Sequence, residues 1–233
     1  LPEPVNDAET SKLSSLFRWA YRMEKRNPID TIGRLIPAIL ALLMTHTLIS
    51  QEEISVVGTD FFAALILLPS FICVVIPPAL IQRYAEENCG RWWAAIIGPK
   101  FRMASSIIGS SIILPLPLIY ISWLILSDRI DYLDNSDILP WLWLPGLVMF
   151  SVALAASSLH LLVSDLRRSG TSVVSLLLLV LIWPFLELID ALEMIILNGM
   201  SFGYSLDEPL SMIILASLVS LLVWGISVYL PDA

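Results

Sequence analysis

The sequence predicts an all-α membrane protein. It has six transmembrane helices, an N-terminal amphipathic elbow helix, and one short membrane-parallel helix on the cytoplasmic side. Hydrophobic residues make up 57% of the 233 residues, charged residues only 15%, and the mean hydropathy is +0.82. A soluble domain is about half apolar and about a quarter charged. The chain therefore has too little polar surface to cover a globule in water, and lipid is the natural solvent for its outer face.

Six apolar runs are each close to the roughly 20 residues that a helix needs to cross a hydrocarbon core of about 30 Å. The runs cover residues 35–51, 61–83, 104–126, 139–163, 171–197 and 210–230. Helices are expected because the runs are continuous rather than alternating, and a helix satisfies its own backbone hydrogen bonds in lipid. Nine prolines lie inside these runs and predict kinks or short breaks: Pro37, Pro69, Pro77, Pro78, Pro115, Pro117, Pro140, Pro145 and Pro184.

The chain divides into a polar leader (1–14), an amphipathic interfacial helix (15–30) and a six-span transmembrane domain (31–233). The leader LPEPVNDAET has no apolar core and is not a secretory signal peptide. The next segment, SLFRWAYRMEKRNPID, mixes apolar and basic residues as interfacial helices do, and Asn27–Pro28 is expected to end it. It serves either as a generic topology anchor or as an elbow helix that lies along the transmembrane domain.

The distribution of Lys and Arg predicts which side of the membrane each connection faces. Twelve of the 13 basic residues lie before span one, between spans two and three, or between spans four and five. The opposite side has only Arg129, which lies among four aspartates. Both termini and the three basic connections are therefore expected on the cytoplasmic or matrix side.

The connection between spans two and three, EENCGRWWAAIIGPKFR, is too rich in features for a plain loop. A short helix from about Arg91 to Ile97 is expected to end at Gly98–Pro99. Trp92 and Trp93 suit the headgroup zone, and charged residues surround them. The segment is either a positively charged loop with interfacial anchors or a membrane-parallel helix on which a soluble subunit docks.

The order of these features resembles that of the type-2 ABC exporter permeases. An elbow helix and two spans come first, and acidic residues, a Gly, a short apolar helix and a Pro then precede span three. In that family the segment is the coupling helix, which rests in a groove of a separate ATPase. The resemblance implies a coupling role for Glu86, Glu87, Gly90, Arg91, Trp92, Trp93, Gly98, Pro99, Lys100 and Arg102.

The stretch DLRRSGTSVVSLLLLVLIWPFLE, from Asp165 to Glu187, narrows the resemblance. This stretch is similar to the pattern of the CcmB family. It has an Arg pair, a Gly two residues later, a helix start made of small and apolar residues, and a more distant Pro. CcmB is the permease of the cytochrome c maturation ABC complex, long described as a haem exporter. The resemblance covers most of the chain from about Leu16. It implies a cytoplasmic turn between spans four and five at Asp165, Arg167, Arg168 and Gly170.

The resemblance also implies partners and cargo: an ABC ATPase subunit that supplies ATP, a haem-handling membrane protein of the same pathway, and haem as possible cargo. A dimer or hetero-oligomer in the bacterial or mitochondrial inner membrane is expected. The ATPase cycle would drive either haem export or the release of a haem-loaded chaperone. The net charge of −8 disfavours nucleic acid as a partner.

Three carboxylates, Glu187, Asp190 and Glu193, follow at positions i, i+3 and i+6, along one side of a helix. In lipid they would be costly and would indicate a polar pathway. The favoured interpretation ends span five near Phe185 and lays an outer amphipathic helix along the membrane surface. Type-2 exporters resemble this, having short helices between spans five and six.

The residues point to no enzyme and no cofactor held by this chain itself. The sequence contains no G-x-x-x-x-G-K-[ST] loop, so a transporter built on it needs a separate ATPase. Cys73 and Cys89 have neither disulfide nor metal spacing and are expected as free thiols. His46 and His160 lie in apolar runs, where hydrogen bonding between helices is the ordinary role and haem ligation the alternative.

Two other functions fit the same pattern. One is an exporter permease for a different cargo, such as a lipid, a polysaccharide or a drug. The other is a structural subunit that does not transport but keeps the fold within a larger membrane complex. An ATPase that co-purifies with the chain would favour transport over the structural role.

Overall fold

A computed structural model describes the helical part of the chain. The described residues are 18, 21–22, 25–26, 28–51, 59–76, 100–127, 138–169, 176–177, 179–198 and 204–229. Most of them belong to seven helices: α1 (Pro28–Gln51), α2 (Thr59–Val75), α3 (Lys100–Ile113), α4 (Leu116–Ser127), α5 (Ile138–Ser169), α6 (Ile182–Asn198) and α7 (Tyr204–Tyr229). The prediction of an all-helical chain is confirmed for these residues, which include no strand.

Four helical stretches are long and apolar enough to cross a membrane. They are Pro28–Leu48, Ile107–Ile125, Leu142–Val163 and Asp207–Tyr229. Helices α2 and α6 have 17 residues each, about 25 Å of helix against a hydrocarbon core of about 30 Å. The structure is thus compatible with a multi-pass membrane protein, and four of the six predicted spans reach spanning length.

The third predicted span consists of two helices because of its prolines. Helix α3 ends at Ile113, and α4 begins at Leu116 after a turn at Leu114–Pro115. Pro115 has no N–H for the preceding turn, and its ring would collide with a carbonyl there. Its own carbonyl accepts hydrogen bonds from the N–H groups of Leu118 (3.0 Å) and Ile119 (3.2 Å), which starts the new helix. The expected break is therefore present at this proline.

Helix α5 lies at the centre of the bundle. It packs against α2, α3, α4, α6 and α7. All side chains from residue 151 to residue 158 are buried, and six of these eight residues are Ser or Ala. Small side chains let helices approach closely, which is how membrane helices pack where the hydrophobic effect no longer drives association.

Contacts between helices bring six helix ends together at one end of the bundle, which we call the His160 end. Ala104, near the start of α3, shares a buried cluster with Leu161 of α5 and with Trp224 and Val228, near the end of α7. Leu181, just before α6, shares another with Leu162 of α5 and Val223 of α7.

The remaining two helix ends reach the same place, one through a hydrogen bond and the other through the nearby charge of Arg34. His160 of α5 bonds to the carbonyl of Val74, at the end of α2. Arg34, near the start of α1, acts electrostatically on His160. The residues at positions 77–99 and 170–175 therefore follow helices that end at the His160 end.

The predicted elbow helix is described at five residues only. Arg18, Tyr21, Arg22, Lys25 and Arg26 have helical backbone and exposed side chains. Pro28 is the first residue of α1, where a proline fits because the N–H groups of the first turn have no partner within the helix. Helix α1 therefore begins seven residues before the apolar run that predicted it.

Candidate functional site: buried His160 and Arg34 at the His160 end

A hydrogen bond joins the central helix to the end of α2. The Nε2 atom of His160 lies 2.8 Å from the carbonyl oxygen of Val74, and both residues are buried. A carbonyl oxygen can only accept, so Nε2 carries the proton that it donates. In the neutral ring, Nδ1 is then the unprotonated nitrogen.

The carbonyl of Val74 needs this donor because of the residues that follow it. In a continuing helix its donor would be the N–H of residue 78, but α2 ends at Val75 and residue 78 is proline. A buried carbonyl without a donor costs about 1–3 kcal/mol. His160 supplies the missing hydrogen bond from the neighbouring helix.

Arg34 adds a permanent positive charge to the same place. Its side chain is 4% exposed, and it lies within the apolar helix Pro28–Leu48. A guanidinium stays charged at any physiological pH, and a charge within a membrane helix is costly and usually functional. The structure thus brings together a buried cation, a histidine and the end of α2, although sequence reasoning had counted Arg34 only toward topology.

Two further carbonyls beside prolines receive side-chain hydrogen bonds from other helices. Thr45 of α1 donates its hydroxyl to the carbonyl of Leu65, 3.2 Å away in α2. That carbonyl lies four residues before Pro69, which has no N–H to offer it.

Tyr120 of α4 makes the second such bond, to the carbonyl of Leu142 in α5, three residues before Pro145. Gly146 lies beside this contact: a Cβ there would lie 3.5 Å from the Tyr120 hydroxyl, an ordinary van der Waals distance. The sequence offers a signal for interhelical hydrogen bonds of this kind. It is a hydroxyl or imidazole side chain in one apolar run and a proline in the run that packs against it.

Most of the predicted coupling segment lies outside the described residues: Glu86, Glu87, Gly90, Arg91, Trp92, Trp93, Gly98 and Pro99. Lys100 and Arg102 lie in the first turn of α3. In the predicted turn between spans four and five, Asp165, Arg167 and Arg168 belong to the last turns of α5, while Gly170 lies outside the described residues. Helix α5 therefore continues past the point at which the fourth apolar run ends.

The three carboxylates predicted on an outer amphipathic helix lie on α6. Asp190 is exposed, and Glu187 and Glu193 are half-buried. The opposite side of α6 is buried in the main core through Leu188, Ala191, Leu192, Ile195 and Ile196.

No helix break occurs near Phe185, where span five was expected to end, since α6 runs unbroken from Ile182 to Asn198. Pro184 is the third residue of α6, where its missing N–H costs no helical hydrogen bond. Because the acids avoid the buried side of the helix, no break is needed to remove them from the core.

The two histidines do not form a pair. His46 is exposed on α1, on the half of that helix away from Arg34, whereas His160 is buried and engaged with Val74. Among the described residues, no three His, Cys, Asp or Glu side chains are grouped as a metal site would require. Cys73 is buried and is not part of a disulfide.

Comparisons of the chain with protein-family models, with curated proteins and with solved structures find no match.

Proposed function

We propose that this chain is the membrane permease subunit of an ABC-type complex that serves cytochrome c maturation, as the resemblance to CcmB implies. A separate ATPase subunit would act on the segment between α2 and α3. The complex would export haem or release a haem-loaded chaperone, and this chain would supply the membrane-embedded part that changes conformation.

The observation that carries the proposal is the gathering of helix ends at the His160 end. The ends of α2 and α5 and the starts of α1, α3 and α6 lie there. The stretches of sequence next to these ends contain twelve of the 13 Lys and Arg residues. One basic end on an apolar helical bundle is what a soluble ATPase needs in order to dock on the cytoplasmic side.

The hydrogen bond between His160 and Val74 supports a mechanical role for the same end. Val74 lies in the last turn of α2, and the connection that begins at residue 77 leads from there to EENCGRWWAAIIGPKFR. A push on that segment would reach α5 through this bond and through the packing of α2 against α5. Coupling of this kind needs contacts that can exist in two arrangements, and a single interhelical hydrogen bond is one such contact.

The positions of the two histidines favour haem binding by a partner protein rather than by this chain. The Nε2 atom of His160 is occupied by Val74, and His46 lies on another part of the molecule. A haem iron is commonly held by histidine nitrogen, so these two residues offer no ready pair of axial ligands. We therefore assign haem binding to the haem-handling membrane protein of the same pathway.

The test is purification of the tagged full chain from its native membrane, with mass spectrometry of its partners and an absorbance scan for haem. An ABC ATPase is expected to co-purify. Arg91→Glu places a negative charge in the proposed docking segment and should reduce the recovered ATPase about tenfold or more, since charge reversal at an interface costs several kcal/mol. Gly98→Trp should have a similar effect by obstructing the segment's end.

Arg129→Glu is the matched control, because it makes the same charge change at the only basic residue on the opposite side. It should leave ATPase recovery unchanged. The proposal fails if no ATPase accompanies the unmodified chain, or if Arg91→Glu and Arg129→Glu retain it equally. A chain that is recovered in a stable membrane complex without any ATPase would instead be a structural subunit.

A further inference from the structure

Four basic side chains are exposed just before the first membrane helix. They are Arg18, Arg22, Lys25 and Arg26, and all four residues have helical backbone. We call these four residues the basic surface. Among the described cations of this region, Arg34 inside α1 is buried, and the other four are exposed.

The sequence predicts that the basic surface lies on one side of the interfacial helix. At about 100° per residue, positions 18, 22, 25 and 26 fall within an arc of about 100°. Four like charges this close repel one another, and repulsion between neighbours on a helix is destabilising. An anionic partner that neutralises them together would remove this cost.

Exposed apolar side chains show where the basic surface lies relative to the membrane. Tyr21, between the basic residues, is 54% exposed. Ile29 and Ile32, in the first turns of α1, are 81% and 51% exposed, and Ile36 continues the same outward side. These isoleucines face outward from a helix that is apolar enough to span a membrane, so lipid chains are the medium that suits them. The basic surface therefore comes directly before the point at which the chain meets lipid.

We propose that the basic surface binds the phosphate groups of anionic phospholipids. Guanidinium and ammonium groups pair with phosphate oxygens, and a basic segment beside a membrane helix is attracted to an anionic leaflet. Tyr21 suits the headgroup zone, where its ring can contact apolar chains while its hydroxyl stays in water. The lipid would fix the depth and direction of the chain as it enters α1.

The net negative charge of the whole chain confines its attraction to anionic lipids to the basic parts of the sequence. The net charge is −8, so most of the molecule is repelled by an anionic surface, and attraction is confined to where basic residues are concentrated. A membrane is the favoured partner over an acidic protein because the basic surface is continuous in sequence with a membrane helix. The inference goes beyond the proposed function and holds whether or not an ATPase binds.

The experiment measures which lipid the purified full chain retains. The chain is immobilised in detergent and equilibrated with equal amounts of phosphatidylglycerol and phosphatidylcholine that have identical acyl chains. Retained lipids are then quantified by mass spectrometry. A severalfold excess of phosphatidylglycerol is expected, and it should fall as salt is added, because exposed charges are screened beyond about 10 Å at 0.1 M salt.

Two variants locate the effect. Replacing Arg18, Arg22, Lys25 and Arg26 together with glutamine should reduce the phosphatidylglycerol excess about tenfold or abolish it. The charge-preserving variant R18K/R22K/R26K should keep most of it. The exchanged side chains are exposed, and a size-exclusion profile checks that both variants stay folded.

Three results would overturn the proposal. They are equal retention of the two lipids by the unmodified chain, an excess that salt does not change, and an excess that survives in the glutamine variant. No other protein is present in this assay. Equal retention of the two lipids would therefore indicate that the basic surface binds an acidic protein instead. The salt series uses the unmodified chain, so it decides the question even if the glutamine variant fails to fold.

Discussion

His160 is the residue on which the described site depends most. Its ring is buried, and it donates to a carbonyl that Pro78 and the end of α2 leave without a backbone donor. Arg34 lies close enough to act on it electrostatically. A histidine in an apolar run could have bound a cofactor, but here its Nε2 atom satisfies a neighbouring helix, as polar side chains within membrane bundles commonly do.

His160→Leu should lower the free energy of unfolding by about 1–2 kcal/mol, because it keeps the side-chain volume but leaves the Val74 carbonyl without its donor. Unfolding by sodium dodecyl sulfate in mixed micelles measures the change. His46→Leu is the matched control, since His46 is exposed, and it should have little effect. Equal loss of stability in the two variants would contradict the assignment of the hydrogen bond.

Among the helices, prolines leave backbone carbonyls without donors, and side chains of neighbouring helices form hydrogen bonds to them. Pro69 removes the donor that the Leu65 carbonyl would have within α2, and Thr45 of α1 replaces it. Tyr120 of α4 also bonds to a carbonyl of α5, that of Leu142, although the backbone donor of this carbonyl is Gly146 rather than Pro145. At Pro69 the missing backbone hydrogen bond is thus replaced by one that joins two helices.

A double-mutant cycle tests this exchange at Thr45 and Pro69. Thr45→Val is nearly isosteric and should cost about 1 kcal/mol of unfolding free energy, because the Leu65 carbonyl loses its donor. In the Pro69→Ala background the N–H of residue 69 can serve that carbonyl, so the same threonine substitution should cost much less. Unfolding in mixed micelles measures all four proteins.

Thr47→Val is the control for this cycle, since the Thr47 hydroxyl donates to Met44 within its own helix, 2.9 Å away. It should cost the same in both backgrounds. If Thr45→Val and Pro69→Ala prove additive, the Leu65 carbonyl does not depend on Thr45, and the interpretation of the proline as a fastening point is wrong.

The helices were predictable from the sequence, whereas their pairing was not. Continuous apolar runs predicted helical segments, and the proline at 115 marked a real break between α3 and α4. The bond from His160 to Val74 joins residues 86 positions apart, and no periodic pattern indicates which sides of two apolar helices will meet. Arg34 was counted as a flanking charge because the apolar run begins after it, yet α1 begins at Pro28 and includes it.

The acidic helix shows a second limit of reasoning from sequence. The spacing of Glu187, Asp190 and Glu193 predicted one polar side, and α6 has that side. The position of the helix could not be derived, because a single helix carries both the acids and the core residues Leu188 and Leu192. Whether a carboxylate is costly depends on the depth and neighbours of its helix, which are properties of the assembled bundle.

At the scale of the whole molecule, composition and charge carry the account. The chain forms an apolar helical bundle, and twelve of its 13 basic residues lie in three stretches of its sequence, a pattern that suits a membrane and a soluble partner on one side of it. We propose that an ATPase is this partner and that it contacts the segment between α2 and α3. Energy released outside the membrane would then reach α5 through the end of α2.

Site-specific photo-crosslinking in the native membrane tests that claim most directly. A benzophenone amino acid replaces Trp92 in the proposed docking segment or, as the control, Tyr132 in the connection on the opposite side. Position 92 is expected to crosslink to an ABC ATPase subunit, and position 132 is not. If position 92 yields no ATPase adduct, or yields no more than position 132, the proposed function is contradicted.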